Sequence, residues 1–382
     1  GPMPQFVNQK IIKSWGYKTG NSFDEIKDLL PGDAFYEVCL KHPEVWGGFR
    51  INETEYVPYG SKVWLEATEK YKGTAYVDEK GHIRNYKAGL PFPGTENPIE
   101  MAWNMVKKRL QGDCFGNVAG PWIMPVMDRK GHTRWAAGKN FQFFFNGRLT
   151  IDPKPVYKPN PHNLLTFHTF GYVDPYDMRG IVPLTYRYDD PDKQDDMWMY
   201  LPALRRVRRM SSSQRWDRVP GGGDVWWDSF EMFWGKPSNY EWKYLGRKEI
   251  FGSPNAKPEA QMMKGKLLGG CDQYWNRINA HVLEATPMIV SPVSKFELYL
   301  DPITYVPLWA IYYDKKGREW AVYYYNRSYD TRWKSFSINM LMFDVQRQHS
   351  SGTYLVGAGG DVDWLNPAFF TMESLKKYFG GR

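Results

Sequence analysis

The sequence has few cysteines and no long apolar run. Its three cysteines, Cys39, Cys114 and Cys271, are far apart and form no Cys-x-x-Cys pair, which excludes a zinc ribbon or a thioredoxin motif. One disulfide among them is possible, but a disulfide scaffold is excluded. No stretch approaches the roughly eighteen continuous apolar residues that a membrane-spanning helix needs, so we expect no such helix.

Motifs of the common enzyme classes are also missing. There is no Gly-x-Ser-x-Gly nucleophile elbow and no Gly-x-x-x-x-Gly-Lys phosphate loop. Gly357-Ala-Gly-Gly360 is not followed by a helical pattern, so we interpret it as a turn. His162 and His168 have no Cys or carboxylate at metal-ligand spacing. We therefore expect no enzyme and no cofactor, although paired carboxylates for glycoside hydrolysis leave no recognisable motif in a single sequence.

One acidic run could supply oxygen ligands. Asp189-Asp-Pro-Asp192 is followed closely by Asp195 and Asp196. The run lacks the glycine and the terminal Glu of an EF-hand loop. We interpret it as a solvated turn.

Aromatic residues, proline and glycine are abundant. Aromatic residues make up 17% of the chain, and 27 prolines and 35 glycines imply many turns. This composition is typical of β-rich proteins and of proteins with large apolar or carbohydrate-binding surfaces. The net charge of +8 is modest for this length, and no nucleic-acid-binding module accompanies it, so we expect no nucleic-acid partner. Anionic lipids and acidic small molecules remain as possible ligands.

Alternating apolar residues and turn signals predict a mainly β fold of the α+β type. Roughly ten to twelve antiparallel strands are predicted from residue 114 onward, with Asn146-Gly147 as a hairpin turn. Short helices are predicted over 22–30, 98–110 and 370–378. We expect one large curved sheet or half-barrel with covering helices.

In the run Asp195–Arg209, a predicted apolar strand is followed directly by a cluster of four arginines. Strand alternation places Met197, Met199 and Leu201 on one face and Trp198 and Tyr200 on the other. An amphiphile could lay its tail along such a strand and its anionic head against the guanidinium groups. The alternative is an ordinary core strand followed by a solvated basic turn. Alternation also means that at most two of the four arginines face any one site.

A second apolar group lies in residues 224–234, which we interpret as a short amphipathic helix or lid that Asp224 caps. Methionine and aromatic side chains adapt well to irregular aliphatic ligands. We therefore predict a ligand-binding surface that combines the strand before Pro202, the lid, the strand near residue 300 and two of the arginines. Its residues are Met197, Met199, Leu201, Trp226, Phe230, Phe233, Leu298, Leu300, Arg206 and Arg208. The same side chains could equally form a plain core.

Several runs together resemble one family. They are Gly89-Leu-Pro-Phe-Pro93 with Ala102-Trp103-Asn104, Trp198–Arg209, Asp228–Phe233, Tyr240–Gly246, His281–Ala285, Leu298–Pro302 with Pro307-Leu-Trp309, and Phe370–Lys377. The chain resembles, from about residue 85 to its end, uncharacterised proteobacterial proteins that are grouped with outer-membrane lipoprotein-sorting (LolA/LolB-like) proteins. The resemblance implies an antiparallel half-barrel whose concave apolar face accepts acyl chains, and it implies a periplasmic location. It carries over no catalytic residues.

The resemblance sets the expected organisation and function. Residues 1–84 are predicted to be an N-terminal arm packed on a half-barrel domain of residues 85–382. We expect a periplasmic carrier or chaperone for a lipid or another hydrophobic molecule, working with an outer-membrane protein or an RND-type transporter. The alternatives are a periplasmic glycan-binding protein or hydrolase, and a non-catalytic adaptor of an outer-membrane protein. Gly1-Pro2 is typical of a protease-cleavage scar, and we expect any signal peptide to have been removed.

Overall fold

A computed structural model of the chain describes residues 9–16, 19–47, 49–58, 60–107, 112–221, 223–257, 273–330, 335–355 and 358–380. Within these ranges the chain forms nineteen strands, and seventeen of them belong to one sheet. No helix in these ranges is both long and apolar enough to cross a bilayer.

The strands fall into a short N-terminal group and a long series. The first group is β1 (Lys13–Gly16), β2 (Arg50–Thr54), β3 (Tyr76–Val77) and β4 (Ile83–Arg84). The series is β5 (Cys114–Asn117), β6 (Trp122–Met127), β7 (Thr133–Phe144), β8 (Leu164–Asp174), β9 (Val182–Tyr188), β10 (Asp196–Leu201), β11 (Arg206–Arg209), β12 (Tyr240–Gly252), β13 (Gln273–Pro287), β14 (Val293–Leu300), β15 (Pro307–Asp314), β16 (Glu319–Asp330), β17 (Ser335–Asp344), β18 (His349–Leu355) and β19 (Ala358–Gly360).

Helices are short and surround the sheet. The α-helices are α1 (Asp33–Phe35), α2 (Pro43–Trp46), α3 (Lys62–Tyr71), α4 (Pro98–Lys107) and α5 (Met372–Gly380). A π-helical turn spans Tyr36–Leu40. The 3₁₀ segments are Phe23–Leu29, Pro202–Leu204, Ser212–Trp216, Trp227–Met232, Pro237–Asn239 and Pro367–Phe369.

The main sheet is a continuous antiparallel series that does not close. From β12 to β18 each strand pairs with the next strand in the chain, and β18 then pairs with β6. From β6 to β11 each strand again pairs with the next one. β5 pairs with the second half of β7, next to the segment of β7 that pairs with β6. Register shifts interrupt several ladders, for example between Tyr244 and Gly246 in β12. Bulges of this kind bend a strand and increase its twist, which gives the sheet its concave face.

The N-terminal strands join this sheet through a parallel ladder, the only one between two named strands of the described residues. β2 pairs antiparallel with β1 and parallel with β13, with Ile51 opposite Gln273. The Asn52 side chain strengthens this junction by donating a 3.0 Å hydrogen bond to the Gln273 carbonyl oxygen. Strands whose bonded residues are 221 positions apart in the sequence are therefore neighbours.

The two faces of the sheet carry separate apolar clusters. Tyr172, Trp122 and Met124 belong to the large cluster on the concave side. Phe141 and Phe143 point to the opposite side and pack with residues of α5. The end of β7 and nearly all of β8 therefore bury both of their faces, whereas β7 begins with three exposed residues.

The prediction of a mainly β protein with one large curved antiparallel sheet is confirmed, and so are the helices near residues 22, 98 and 371. The predicted hairpin at Asn146-Gly147 is wrong, because β8 begins only at Leu164. The intervening loop has its own hydrogen bonds. The Asp113 carboxylate accepts from the backbone N–H groups of residues 149, 150 and 151, each at 2.7 Å.

Gly171 in β8 is required for the docking of α5. A Cβ atom at Gly171 would lie 2.4 Å from the Phe379 ring. We expect Gly171→Ala to lower the free energy of unfolding by about 1–3 kcal/mol, because overpacking forces the helix away from the sheet. Urea unfolding measures this change.

Gly380→Ala is the matched control, since a Cβ atom there meets nothing within 4 Å. The Gly171→Ala penalty should also shrink when Phe379 is replaced by alanine. An equal penalty in both backgrounds would contradict the proposed steric origin.

Candidate functional site

The concave face of the sheet contains a cavity of about 100 Å³. Its floor is built from alternate residues of neighbouring strands, which point to the same face. A segment that follows β11 covers the opening, and we call residues 211–221 and 223–236 the covering segment. The apolar lining comprises Phe115, Trp122, Met124, Phe170, Tyr172, Val219, Val225, Phe230, Trp234, Tyr325, Met340 and Leu355.

A small polar group interrupts this apolar lining. It consists of Asn140, Gln142, His168, Glu231 and Thr353. Gln142 lies opposite His168 in the pairing of β7 with β8. The Nε2 atom of His168 is 2.9 Å from the Asn140 Oδ1 atom, so His168 donates there. The cavity is therefore apolar with one polar patch on its floor, as in many small-molecule sites.

Aromatic stacking holds the covering segment over the floor. Trp227 stacks on Phe170 with ring centroids 5.8 Å apart. Phe230 lies 5.6 Å from Phe170 and 5.8 Å from the His168 ring. Trp234 closes the other side at 5.3 Å from His168. Such aromatic pairs contribute roughly 0.5–1.5 kcal/mol each beyond their area burial.

A buried ion cluster attaches the end of the covering segment to the sheet. Arg215 donates to Asp228 at 2.7 Å and lies 3.5 Å from Asp195. Asp195 also accepts from Arg187 at 3.1 Å, and Arg187 donates to the Trp234 carbonyl oxygen. All four charged side chains are at least 93% buried.

A second ion cluster attaches the middle of the covering segment. Arg218 donates to Asp224 at 2.8 Å and to Asp344 of β17 at 2.6 Å. The Nδ1 atom of His349 lies 2.7 Å from Asp224. The Asp224 backbone N–H donates to the Ser351 hydroxyl at 2.8 Å. The predicted role of Asp224 as a helix cap is therefore wrong: its carboxylate binds side chains, and residue 226 precedes the 3₁₀ turn.

The tip of the covering segment has a strained backbone. Glu231 and Met232 adopt φ values of 50° and 67°, in the left-handed region that side-chain-bearing residues rarely occupy. The Tyr312 hydroxyl donates to the Met232 carbonyl oxygen at 2.6 Å and fixes this turn. Strain of this kind clusters at ligand clamps and is retained when the surroundings define the conformation fully.

Burial controls the charge of groups in and near the cavity. It lowers the pKa of His168 to about 4, which keeps the ring neutral at pH 7. Burial also raises the pKa of Asp228, while that of Asp195 is lowered because Arg187 and Arg215 outweigh the effect of burial. In the described residues no group of three His, Cys, Asp or Glu side chains could hold a metal ion.

Residues 51–376 match the family DUF1329, which is described as a protein of unknown function. The chain belongs to the DUF1329 family. An uncharacterised protein of Pseudomonas aeruginosa is 25% identical to it over 327 residues, which cover 80% of this chain and 67% of that protein.

Two solved structures share the fold. A DUF1329 family protein from Desulfovibrio piger has 19% identity and a TM-score of 0.52, over 72% of this chain and 96% of that one. A putative outer membrane lipoprotein-sorting protein domain from Vibrio parahaemolyticus has 18% identity and a TM-score of 0.52, over 74% of this chain and 99% of that one. The family resemblance and the lipoprotein-sorting-like fold that the sequence predicted are confirmed.

Among the ten predicted ligand-binding residues of this DUF1329 protein, Phe230 lines the cavity. Met197 and Met199 are half-buried and pack against the concave-side core. Leu201 is half-buried at the end of β10. Arg206 and Arg208 are exposed on β11 and do not line the cavity.

The other predicted residues pack inside the protein. Trp226 contacts Trp320 at a centroid distance of 4.9 Å, and Phe233 contacts Tyr240 at 5.1 Å. Leu298 and Leu300 are fully buried on β14. The predicted residues of β10, the covering segment and β14 therefore do not converge on one surface. A ligand role for them stays a prediction.

Sequence reasoning did not identify the polar patch or the ion clusters. Asp195 was assigned to a solvated turn, which is wrong, because its side chain is 1% exposed between two arginines. The partners of Asp195 come from β9 and from the covering segment, so no local spacing reveals them. Cys39 and Cys114 are buried and unpaired, and Cys271 lies outside the described residues.

Arg215 should be essential for stability. We expect Arg215→Met to lower the free energy of unfolding by about 3–5 kcal/mol, because it leaves the Asp195 and Asp228 carboxylates buried with too little positive charge. Arg209→Met is the control, because Arg209 also pairs with an aspartate, Asp196, but its own side chain is 71% exposed. That change should cost about 1 kcal/mol or less. Equal urea midpoints for the two variants would contradict the prediction.

His168 should make stability depend on pH. The pKa of His168 is about 4 in the folded chain, whereas an unperturbed histidine, as in the unfolded chain, has a pKa of 6.5. Between pH 4 and pH 6.5 the unfolded chain therefore binds a proton that the folded chain does not. Stability should therefore fall as pH decreases from 6.5 to 4, by up to about 3 kcal/mol from this group. His168→Gln should lose that part of the change.

The measurement is urea unfolding at pH 7.5 and 4.5 for the wild type, His168→Gln and His132→Gln, whose side chain is 76% exposed. Only the His168 variant should show a smaller difference between the two pH values. The same difference in all three proteins would count against a neutral, buried His168.

Proposed function

We propose that this protein is a periplasmic carrier that binds a hydrophobic molecule in the cavity beneath the covering segment. The observation that supports this most is the cavity itself, because apolar side chains make up most of its lining on the concave face. A close-packed core would leave no such space. Binding there requires no catalytic group.

Apolar burial alone supplies enough free energy for transport. Each methylene that the cavity encloses contributes about 0.8 kcal/mol before the ordering costs of binding, so the binding free energy grows with the length of alkyl chain inside it. Met124 and Met340 lie in the lining and can adapt to an irregular aliphatic chain. The resulting affinity suits a carrier, which must release its ligand.

The fold of the solved relatives supports the location and the kind of ligand. One of them is named as an outer membrane lipoprotein-sorting protein domain. A protein with that fold and an apolar cavity is suited to carry lipid between membranes. An outer-membrane protein or an RND-type transporter would be the corresponding partner.

Glycoside hydrolysis has less support from the cavity. Most glycosidases use two carboxyl groups on either side of the scissile bond. Among the described residues, the cavity lining includes one carboxylate, that of Glu231. We therefore favour a carrier over the glycan hydrolase that the aromatic composition suggested.

Filling the cavity should abolish ligand binding. Met340 lies on the cavity floor and is 8% exposed, so a tryptophan there would occupy the space of an alkyl chain. We expect the wild type to release lipid into an organic extract, detected by mass spectrometry, and to bind a fluorescent apolar probe with micromolar affinity. Met340→Trp should weaken probe binding at least about tenfold.

Met288→Trp is the matched control, because Met288 is 64% exposed and outside the cavity. It should bind the probe as the wild type does. Thr353→Trp provides a second blocking variant if Met340→Trp does not fold. A wild type that yields no lipid and binds no probe would overturn the proposal.

A further inference from the structure

The floor of the cavity contains a buried hydrogen-bond acceptor with no donor. Gln142 is 3% exposed, and its Oε1 atom has no hydrogen-bond partner in the described structure. Leaving such an atom unpaired costs about 1–3 kcal/mol, so native structures rarely retain one without a role. Its position in the cavity lining points to a bound molecule as the missing donor.

Two neighbouring polar side chains, His168 and Glu231, add further acceptor atoms. His168 donates from Nε2 to Asn140 Oδ1, so in the neutral ring Nδ1 has the lone pair and can only accept. Glu231 adds a carboxylate to the same lining. Thr353 and the side-chain amides of Asn140 and Gln142 can also donate. The unpaired Gln142 Oε1 atom, however, can only accept, so it suits a ligand group that donates a hydrogen bond.

Positive charge is absent from the lining formed by the described residues. Arg187 is near, but its guanidinium lies behind the Trp234 ring, 4.6 Å from the centroid, and is paired with Asp195. Arg327 is buried two residues beyond Tyr325 on β16. An anionic head group in this cavity would meet the unpaired Gln142 Oε1 atom and no cation of the described lining.

We propose that the cavity selects an apolar molecule that bears a hydrogen-bond donor, a hydroxyl or an amine, and discriminates against a carboxylate. Gln142 Oε1 accepts the donor, and the aromatic and methionine side chains contain the alkyl part. This inference rests on the proposed carrier function and adds the chemical class of its ligand. The exposed arginines of β11 have no part in it.

Three probes of equal chain length test the selection: decanol, decylamine and decanoate, each below its micelle concentration. Their affinities are measured on the full chain by displacement of the fluorescent apolar probe. We expect decanol and decylamine to bind at least tenfold more tightly than decanoate. The comparison of the alcohol with the amine shows which of the two donors the cavity prefers.

Gln142→Leu removes the acceptor without leaving a buried polar atom, so it should fold as well as the wild type. It should bind decanol about tenfold more weakly while its affinity for decanoate stays the same. Gln346→Leu is the control, because Gln346 lies in the exposed turn between β17 and β18. That variant should keep the wild-type order of affinities.

The outcomes separate the two proposals. Equal binding of all three probes would overturn the selection of a donor and leave the carrier function intact. Tightest binding of decanoate would also overturn it and indicate Arg327 as the head-group partner. Failure of every probe to displace, together with an extract free of lipid, would overturn the carrier function itself.

Discussion

Two buried ion clusters determine where the covering segment lies, and the cavity exists because of that position. Arg215 and Arg218 belong to the covering segment, whereas Asp195 and Asp344 belong to the sheet region. Unpaired charges are strongly unfavourable in the interior, so the segment is stable only where both sets of partners meet.

Burial on both faces explains the aromatic content of the chain. A sheet with one solvated face needs apolar residues at every second position, whereas β8, which is buried at nine consecutive positions, needs them on both faces. In β7, Phe141 and Phe143 face α5, while Asn140 and Gln142 face the cavity. The polar patch thus lies on one face of the buried end of β7, and the other face of that end is apolar.

Much of the fold was predictable from the sequence, because the period of alternation and the turn residues are local properties. The antiparallel sheet formed by the strands after residue 114 was predicted in this way, and so was the helix that begins after Thr371. The Asn146-Gly147 prediction failed because the Asp113 carboxylate, more than thirty residues earlier, organises a different loop. Sequence patterns do not record such distant hydrogen bonds.

The candidate site was predictable only in part, for the same reason. The apolar character of residues 224–234 indicated a cover, and Phe230 does line the cavity. The floor, however, combines residues of β5, β6, β7, β8, β16, β17 and β18, which no sequence window brings together. The four arginines of residues 205–209 are easily recognised because they are close together in the sequence. Arg187 and Arg215 are isolated in the sequence, yet they form buried ion pairs.

The parallel pairing of β2 with β13 has a consequence for how the chain is assembled. Asn52 binds Gln273, which lies 221 residues further along the chain. During synthesis or export the first strands therefore emerge long before their partner and present unpaired edges in the meantime. The sheet is completed later still, when β18 pairs with β6 and β19 with β5, so several early strands keep an unpaired edge until the last part of the chain has been made.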